Sequence, residues 1–236
     1  MHHADVVELV DTLDSGSSAC KGMKVQVLSS ALKNRRIRPA VFLYILRMED
    51  FLDEIPVDEL VGERVVLRSL DERDCDALYA VIDRNRAFLS EHLPWPSDCR
   101  SADDVASRVE SWQMQSQMGN GACWGIFEKA GGCLRVAGCI IVGWVQWAHR
   151  SATVSYWLGE NFTGRGLATE SLKLVSQKLF SIGINRIELS AAENNPKSAA
   201  VARRAGFSEE GISRDFERIN GIFRNHVRFS RLAKDA

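Results

Sequence analysis

The sequence predicts a mixed α/β domain from about residue 60 to residue 234, with elements in the order β-α-α-β-β-β-α-β-α-β-β. Short apolar runs typical of strands alternate with stretches whose apolar residues recur every three or four positions, as they do in helices. A loop with two glycines, residues 161–166, joins one such strand to one such helix. Two turn signals, at residues 131–132 and 220–221, each link a pair of strand-like runs, which indicates hairpins.

The domain begins with a predicted strand at Val65–Arg68. A helix follows, with Leu78 and Ile82 on its apolar face and Asp74 as its expected N-cap. Residues 88–96 then form a predicted loop, because the tryptophan in this stretch lies between two prolines and proline does not continue a helix.

A second helix is predicted to begin at Ser101, because Asp104 stands three residues later, in the capping-box position. Residues 124–128 and 136–147 are the strands of the first hairpin. The remaining predicted elements are a strand at 152–158, a helix from Ala168, a strand at Arg186–Ala192, a helix at 198–205 and the two strands that flank Asn220 and Gly221.

The glycine loop carries the first functional signal. Gly164 and Gly166 allow a tight turn at a helix N-terminus, where free backbone N–H groups and the helix dipole favour an anion such as a phosphate. The alternative is an ordinary strand-to-helix turn. A nucleotide P-loop is excluded because Leu167 and Ala168 follow the last glycine, and the dinucleotide fingerprint fails because Thr169 stands where its third glycine belongs.

Composition narrows the possible classes of function. Thirty basic residues and thirty-one acidic residues give a balanced charge, so we expect no specific nucleic-acid partner. The six cysteines form no CxxC pair and no metal-ligand spacing with the five histidines, so we expect no metal and a reducing, cytoplasmic location. Cys123, Cys133 and Cys139 lie in apolar runs and are predicted to be buried. The longest apolar run of the N-terminal part, residues 40–46, is too short for a membrane helix.

The N-terminal segment differs from the rest of the chain. Residues 6–31 resemble the translation of a bacterial leucine transfer-RNA gene, with a possible D-arm at residues 8–12 and a possible T-arm at residues 24–27. We therefore expect translation to begin at Met48, with residues 1–47 a spurious or disordered extension and residues 48–59 a lead-in to the domain. The alternative is a genuine disordered or regulatory tail.

Five separated stretches together indicate a family. They are GERVVLR at 62–68, NRAFL with LPWP at 85–96, YWL with GRGLATE at 156–170, NPKS with AGF at 195–207, and residues 210–221 ending in ING. In this order they resemble the GNAT superfamily of N-acetyltransferases, and more closely the bacterial ribosomal-protein N-terminal acetyltransferases of the RimJ/RimL kind. The resemblance implies a mostly antiparallel sheet with one splayed strand pair and helices on both faces.

The resemblance also implies acetyl-CoA as the donor, with its pyrophosphate on the glycine loop and its pantetheine between the splayed strands. The residues implied to contact it are Trp157, Leu158, Asn161, Thr163, Gly164, Arg165, Gly166, Leu167, Ala168, Thr169, Asn195 and Ser198. Asn195 is implied to bond the pantetheine arm; the alternative is a turn before a helix that Ser198 caps.

For catalysis, the resemblance implies Glu217 as the general base and Ser198 as the donor of a proton to the CoA sulfur. Strand alternation predicts that Glu217 lies on the face opposite Ile212 and Phe216, facing an open groove. The alternatives are an ion pair with a nearby arginine or simple exposure for Glu217, and a purely structural helix position for Ser198.

Among the aromatic residues, Trp95 is the expected contact with the acceptor, because it lies on a loop between prolines. Trp112 and Trp144 are predicted to pack in the core. His92 and His226 have no partner visible in the sequence and are interpreted as structural or exposed.

The sequence therefore predicts transfer of acetyl from acetyl-CoA to a primary amine, most simply a protein N-terminal α-amine. The alternatives are a small amine such as an amino acid, polyamine or antibiotic, or a CoA-binding sensor that has lost turnover. Roughly one-tenth of an α-amine is free base at pH 7, so an N-terminal acceptor needs only a modest base. A monomer or a homodimer, without membrane association, is expected.

Overall fold

The computed structural model describes residues 55–235. The predicted extension at residues 1–47 and the first part of the lead-in lie outside these residues. The strands are β1 Leu60–Val61, β2 Val65–Arg68, β3 Ala122–Ala130, β4 Cys133–Gln146, β5 Ser151–Leu158, β6 Arg186–Ala192, β7 Ser208–Ile219 and β8 Ile222–Leu232. The helices are α1 Cys75–Arg84, α2 Arg86–Ser90, α3 Ala102–Met118, α4 Leu167–Ser181 and α5 Pro196–Arg204.

The eight strands form one sheet in the order β1-β2-β3-β4-β5-β6-β8-β7. Neighbouring strands are antiparallel except β5 and β6, which run parallel. That parallel pair is short, because residues 151–153 pair with residues 186–188 and the two strands then separate. The predicted fold class, a mostly antiparallel sheet with one splayed pair, is confirmed.

Helices cover both faces of the sheet. On the first face, α1, α2 and α3 pack over strand residues that include Phe127, Cys139 and Trp157. On the second face, α4 and α5 pack over strand residues that include Val154 and Leu189. Successive strand residues point to opposite faces, so each position of β5 and β6 can be assigned to one side.

Several local signals form as predicted. Asp104 accepts the backbone N–H of Ser101, and its own N–H donates to the Ser101 hydroxyl, which completes the capping box of α3. Asn220 and Gly221 both have positive φ, 51° and 82°, as a two-residue hairpin turn requires. The helix expected from Ala168 begins one residue earlier, at Leu167.

The start of the domain differs from prediction in three ways. Asp71, and not Asp74, provides the side-chain cap, since it accepts the Arg73 N–H while Asp74 forms a two-bond ion pair with Arg68. The loop expected from residue 88 begins only after α2, which ends at residue 90. The two-residue strand β1 was not predicted, because a strand that short leaves no periodic pattern.

Two burial predictions are wrong. Cys133 is exposed, because it is the first residue of β4, directly after the hairpin turn. Trp144 is 83% exposed, because β4 bulges between Gly143 and Gln146 and a φ of 48° turns its ring outward. The two failures have different causes, the end of a strand beside a turn at Cys133 and a bulge at Trp144.

Candidate active site

The opening between the splayed strands is the centre of the candidate site. Beyond Thr153, the edge of β5 that faces β6 pairs with no strand of residues 55–235, so its backbone groups are open to hydrogen bonding. Residues 154–158 form one side of the opening and residues 189–192 the other. An extended ligand can lie there and pair with β5 as an added strand would.

The glycine loop lies where β5 ends and α4 begins. Gly164 and Gly166 adopt φ values of 75° and 81°, which favour glycine. Phe162 and Thr163 donate their backbone N–H groups within the preceding turn. Among the described residues, the N–H groups of positions 164–166 donate to no protein acceptor. Together with the first turn of α4 they form a cradle for an anion.

The first turn of α4 adds a hydroxyl to this cradle. The Oγ1 atom of Thr169 is buried and has no hydrogen-bond partner among the described residues. A buried hydroxyl without a partner is costly, so it indicates a group that binds there. The residues present therefore fit the pyrophosphate of acetyl-CoA.

Three arginines surround the loop. Arg165 and Arg135 pair with the Glu128 carboxylate at 2.8 Å and 2.5 Å. Burial favours a raised pKa for Glu128, but the hydrogen bonds from Arg165 and Arg135 outweigh it and lower the pKa. Arg64 is the third, and its guanidinium lies next to Gly166, 4.0 Å from the position that a Cβ atom on this residue would occupy. The pattern at residues 62–68 indicated the family but not this position for Arg64.

Ser198 lies at the N-terminus of α5 and forms two hydrogen bonds. Its Oγ atom lies 2.9 Å from the Tyr156 hydroxyl, which reaches it from β5. Its backbone N–H donates to Asn195 Oδ1 at 3.1 Å, so Asn195, and not Ser198, caps α5. Burial raises the pKa of Tyr156 although the Ser198 hydrogen bond opposes this, so the phenol stays protonated at neutral pH. Sequence reasoning did not select Tyr156.

Glu217 lies in the last hairpin, beside a histidine that sequence reasoning set aside. The Oε2 atom of Glu217 is 3.4 Å from His226 Nε2, which is close enough for an ion pair but lacks hydrogen-bond geometry. His226 Nδ1 lies 3.1 Å from the Ser190 hydroxyl. Glu217 lies on the face opposite Ile212, as expected, because their partners on β8 are Arg224 and Val227. The expectation is wrong for Phe216: β7 bulges between Ser213 and Glu217, and the Phe216 ring also contacts His226, with ring centroids 4.9 Å apart.

Both side chains of this pair have shifted pKa values. Burial raises the pKa of Glu217. Burial, and then the charge of Arg228, lowers the pKa of His226, so the imidazole is neutral at pH 7. A neutral imidazole does not hold Glu217 in an ion pair, and the carboxylate remains available to accept a proton.

The two candidate catalytic groups lie on opposite faces of the sheet. Tyr156 packs with the core under α4 and α5, which is also the side of Ser198. His226 pairs with Ala192 and bonds Ser190, whose neighbours along β6 pack into that core, so Glu217 and His226 face the other side. We call the side of Ser198 the donor face and the side of Glu217 the acceptor face.

A cavity of about 260 Å³ lies on the acceptor face. Trp95, Trp112 and Trp157 line it, and the rings of Trp95 and Trp157 meet edge to face at 5.5 Å. Trp112 packs against the core of this face, as predicted, and also borders the cavity. That Trp95 contacts the acceptor stays a prediction. The Trp157 side chain also lies here, so only its backbone faces the opening.

Neither a metal site nor a membrane helix is found in the part of the chain that the structure describes. No group of three or more His, Cys, Asp or Glu side chains within residues 55–235 could hold a metal ion. None of the helices there has the length and apolar character to cross a membrane.

Comparison with known proteins agrees with this geometry. Residues 64–208 match the profile of the family described as Acetyltransferase (GNAT) domain. The chain is 30% identical over 177 residues to "Putative ribosomal N-acetyltransferase YdaF" of Bacillus subtilis, covering 74% of this chain and 94% of that protein. It is 27% identical over 164 residues to the ribosomal-protein-serine acetyltransferase of Escherichia coli, covering 69% and 89%.

Among solved structures, the fold matches RimL, the ribosomal L7/L12 alpha-N-protein acetyltransferase, in complex with coenzyme A. The TM-score is 0.68 at 27% identity, and the match covers 77% of this chain and 99% of that chain. The chain therefore belongs to the GNAT acetyltransferase family and is an acyltransferase that uses acetyl-CoA as its donor.

Proposed function

We propose that this enzyme acetylates the α-amine of a protein N-terminus in the cytoplasm. The observation that carries the proposal is Glu217, a half-buried carboxylate with a raised pKa on the face opposite Ser198. A single carboxylate of this kind suits an α-amine, which has a pKa near 8, better than a lysine with a pKa near 10.4. The similarity to the Escherichia coli ribosomal-protein-serine acetyltransferase supports an N-terminal acceptor, and the five unpaired cysteines among the described residues agree with a reducing compartment.

Acetyl-CoA supplies an activated acyl group in the form of a thioester. In our proposal the free N–H groups at positions 164–166 and the Thr169 hydroxyl hold its pyrophosphate, with Arg64 and Arg165 adding positive charge. The open edge of β5 and Asn195 bind the pantetheine arm. Because Asn195 Oδ1 already accepts the Ser198 N–H, its amide nitrogen is the group left for the ligand.

In this proposal, the acceptor face removes a proton from the amine and the donor face supplies a proton to the leaving sulfur. Glu217 accepts the proton that the amine loses as its nitrogen bonds to the acetyl carbon. Ser198 donates its hydroxyl proton to the sulfur as the carbon–sulfur bond breaks. Tyr156, 2.9 Å away, returns a proton to Ser198 and regains its own from solvent, while Glu217 releases the amine proton to solvent, so that both groups are restored. The base and the acid thus act from opposite sides of the sheet, and neither competes for the other's proton.

The test is an acceptor panel with the full-length chain and acetyl-CoA, followed by release of free thiol. The panel pairs peptides that have a free N-terminus with the same peptides blocked at the N-terminus and carrying an internal lysine, and adds amino acids and polyamines. We expect turnover only with the free N-terminus. Turnover restricted to the small amines would overturn the proposal, and so would a Tm that rises with CoA without turnover of any amine, which indicates a CoA-binding sensor.

A further inference from the structure

The cavity on the acceptor face has apolar walls but carries a few hydrogen-bond donors. Three tryptophans and aliphatic side chains from α1, α3 and β4 form the walls, while Arg108, Ser155 and Trp157 supply polar groups. Among the described residues, no Asp or Glu side chain lines the cavity. The polar atoms of the cavity are therefore mainly donors.

Trp157 is the first unused donor. Its side chain is buried, with 5% of the residue exposed, and its Nε1 atom has no hydrogen-bond partner among the described residues. Buried indole N–H groups normally find an acceptor, and leaving one unpaired is destabilising. An oxygen atom of a bound ligand would remove this cost.

Arg108 is the second donor, and its charge has no carboxylate partner among the described residues. Within residues 55–235 no carboxylate oxygen lies within 4.0 Å of its guanidinium. The guanidinium instead lies over the Trp95 ring, 5.0 Å from its centroid, and donates a hydrogen bond to the buried Cys99 thiol. An arginine held against an aromatic ring beside an apolar cavity is well placed to bind a carboxylate.

The cavity is also in the right place for the acceptor. Ser155 and Trp157 line it from β5, and the residue between them, Tyr156, reaches Ser198 on the donor face. Neighbouring strand residues are only about 3.3 Å apart along the strand. An acceptor whose amine reaches the opening between β5 and β6 from this face therefore places its following residues at the cavity.

We propose that this cavity binds an acidic side chain of the acceptor peptide, with its carboxylate on Arg108 and the Trp157 indole N–H and its aliphatic stem against the tryptophan rings. The inference rests on the proposed function and adds a sequence preference to it. It makes the enzyme selective for proteins with Glu or Asp close to the N-terminus. Hydrogen bonds to charged groups contribute about 1.5–3 kcal/mol, which corresponds to a 10- to 100-fold effect on affinity.

The experiment uses the full-length enzyme and a neutral peptide with N-terminal serine, in which one Glu is moved through positions 2 to 5. The control at each position is Gln. We expect one position at which Glu lowers KM at least tenfold relative to Gln, with kcat little changed. Arg108→Gln should abolish this advantage, Arg108→Lys should retain part of it, and Trp157→Phe, which removes the N–H donor together with part of the ring, should reduce it.

Arg84→Gln is the matched control, because it removes one arginine charge from α1 at an exposed position that does not line the cavity. It should leave the Glu preference intact. Circular dichroism and the Tm of each variant show whether it has folded, and turnover of the neutral peptide shows that the catalytic groups still work.

The outcomes separate this inference from the proposed function. Acetylation of all peptides with equal KM, or a Glu preference that persists in Arg108→Gln, overturns the inference and leaves the function intact. Absence of turnover with every peptide overturns the function itself. The inference is also overturned if turnover of a free amino acid depends on Arg108 and turnover of peptides does not. The cavity would then bind the α-carboxylate of the acceptor itself.

Discussion

The donor face and the acceptor face of the site are built in different ways. The phosphate cradle of the donor face is one continuous segment, residues 164–169, and acts mainly through backbone N–H groups held by glycine conformations. The acceptor face assembles side chains from β5, α3, the last hairpin and the loop that carries Trp95. A site made of local backbone geometry can be recognised in a sequence, whereas a site made of distant side chains depends on strand register.

The two faces also differ in electrostatics. On the donor face, hydrogen bonds from arginines outweigh burial and lower the pKa of Glu128, which keeps fixed charges around the phosphate site. On the acceptor face, burial raises the pKa of Glu217. Arginines held in place by an ionised carboxylate suit the binding of a phosphate, and a raised pKa suits a group that must take up a proton.

The largest expected effect tests the acceptor face. Glu217→Gln should lower kcat with an N-terminal peptide about 100-fold or more, because general base catalysis typically contributes that much, while KM for acetyl-CoA stays within about twofold. Steady-state thiol release measures both constants. The control is Glu209→Gln on the same strand, where Glu209 forms an exposed ion pair with Arg203. An unchanged kcat in Glu217→Gln would remove the base assignment.

A pH titration should separate the two faces without a mutation. Below the α-amine pKa near 8, kcat/KM for the peptide should fall about tenfold per pH unit, because only the free amine reacts. Protonation of Glu217 should make the fall in kcat/KM steeper still at low pH. Since burial raises the pKa of Glu217, this steeper part should begin at a higher pH than it would with an exposed glutamate. KM for acetyl-CoA should stay nearly constant from pH 6 to 8, because the arginines around the loop remain charged. A KM that follows the same pH profile as kcat/KM would show that the two faces titrate together.

Most of the fold could be predicted because its signals are local. The capping box at Ser101, the turn at Asn220 and Gly221 and the helix after Gly166 each depend on neighbouring residues, and each forms as expected. The prediction fails where β-bulges interrupt alternation, as at Trp144 and before Glu217. Period-two reasoning cannot foresee an inserted residue, since a bulge changes the register without altering composition.

The candidate site could be predicted to a smaller extent. Family resemblance pointed to Glu217 and Ser198, but their partners His226 and Tyr156 became visible only in three dimensions. His226 could have been found, because the hairpin turn pairs Glu217 with Arg224, and the diagonal neighbour two residues further on is His226. The sequence holds no comparable signal for Arg108, which reaches Trp95 and the cavity from a separate helix.

A substitution in the glycine loop should affect the donor face alone. Gly166→Ala adds a side chain at φ 81°, a conformation that costs other residues about 1–2 kcal/mol, so the N–H groups of the loop should turn away from the phosphate. We expect KM for acetyl-CoA to rise about tenfold, with the peptide KM unchanged. Gly131→Ala is the control, because Gly131 has φ 58° with open space around it in a hairpin outside the site. An equal rise in KM in both variants would mean that the effect is global.

The smallest expected effect tests the link between Tyr156 and Ser198. Tyr156→Phe removes one hydrogen bond of 2.9 Å and should lower kcat about threefold to tenfold without changing either KM, since such a bond contributes about 0.5–1.5 kcal/mol. If Tyr156 acts only through Ser198, the double variant with Ser198→Ala should be no slower than Ser198→Ala alone. Tyr79→Phe, which loses an exposed hydrogen bond to the Arg100 carbonyl, is the control. Additive losses in the double variant would show instead that Tyr156 acts on the sulfur independently of Ser198.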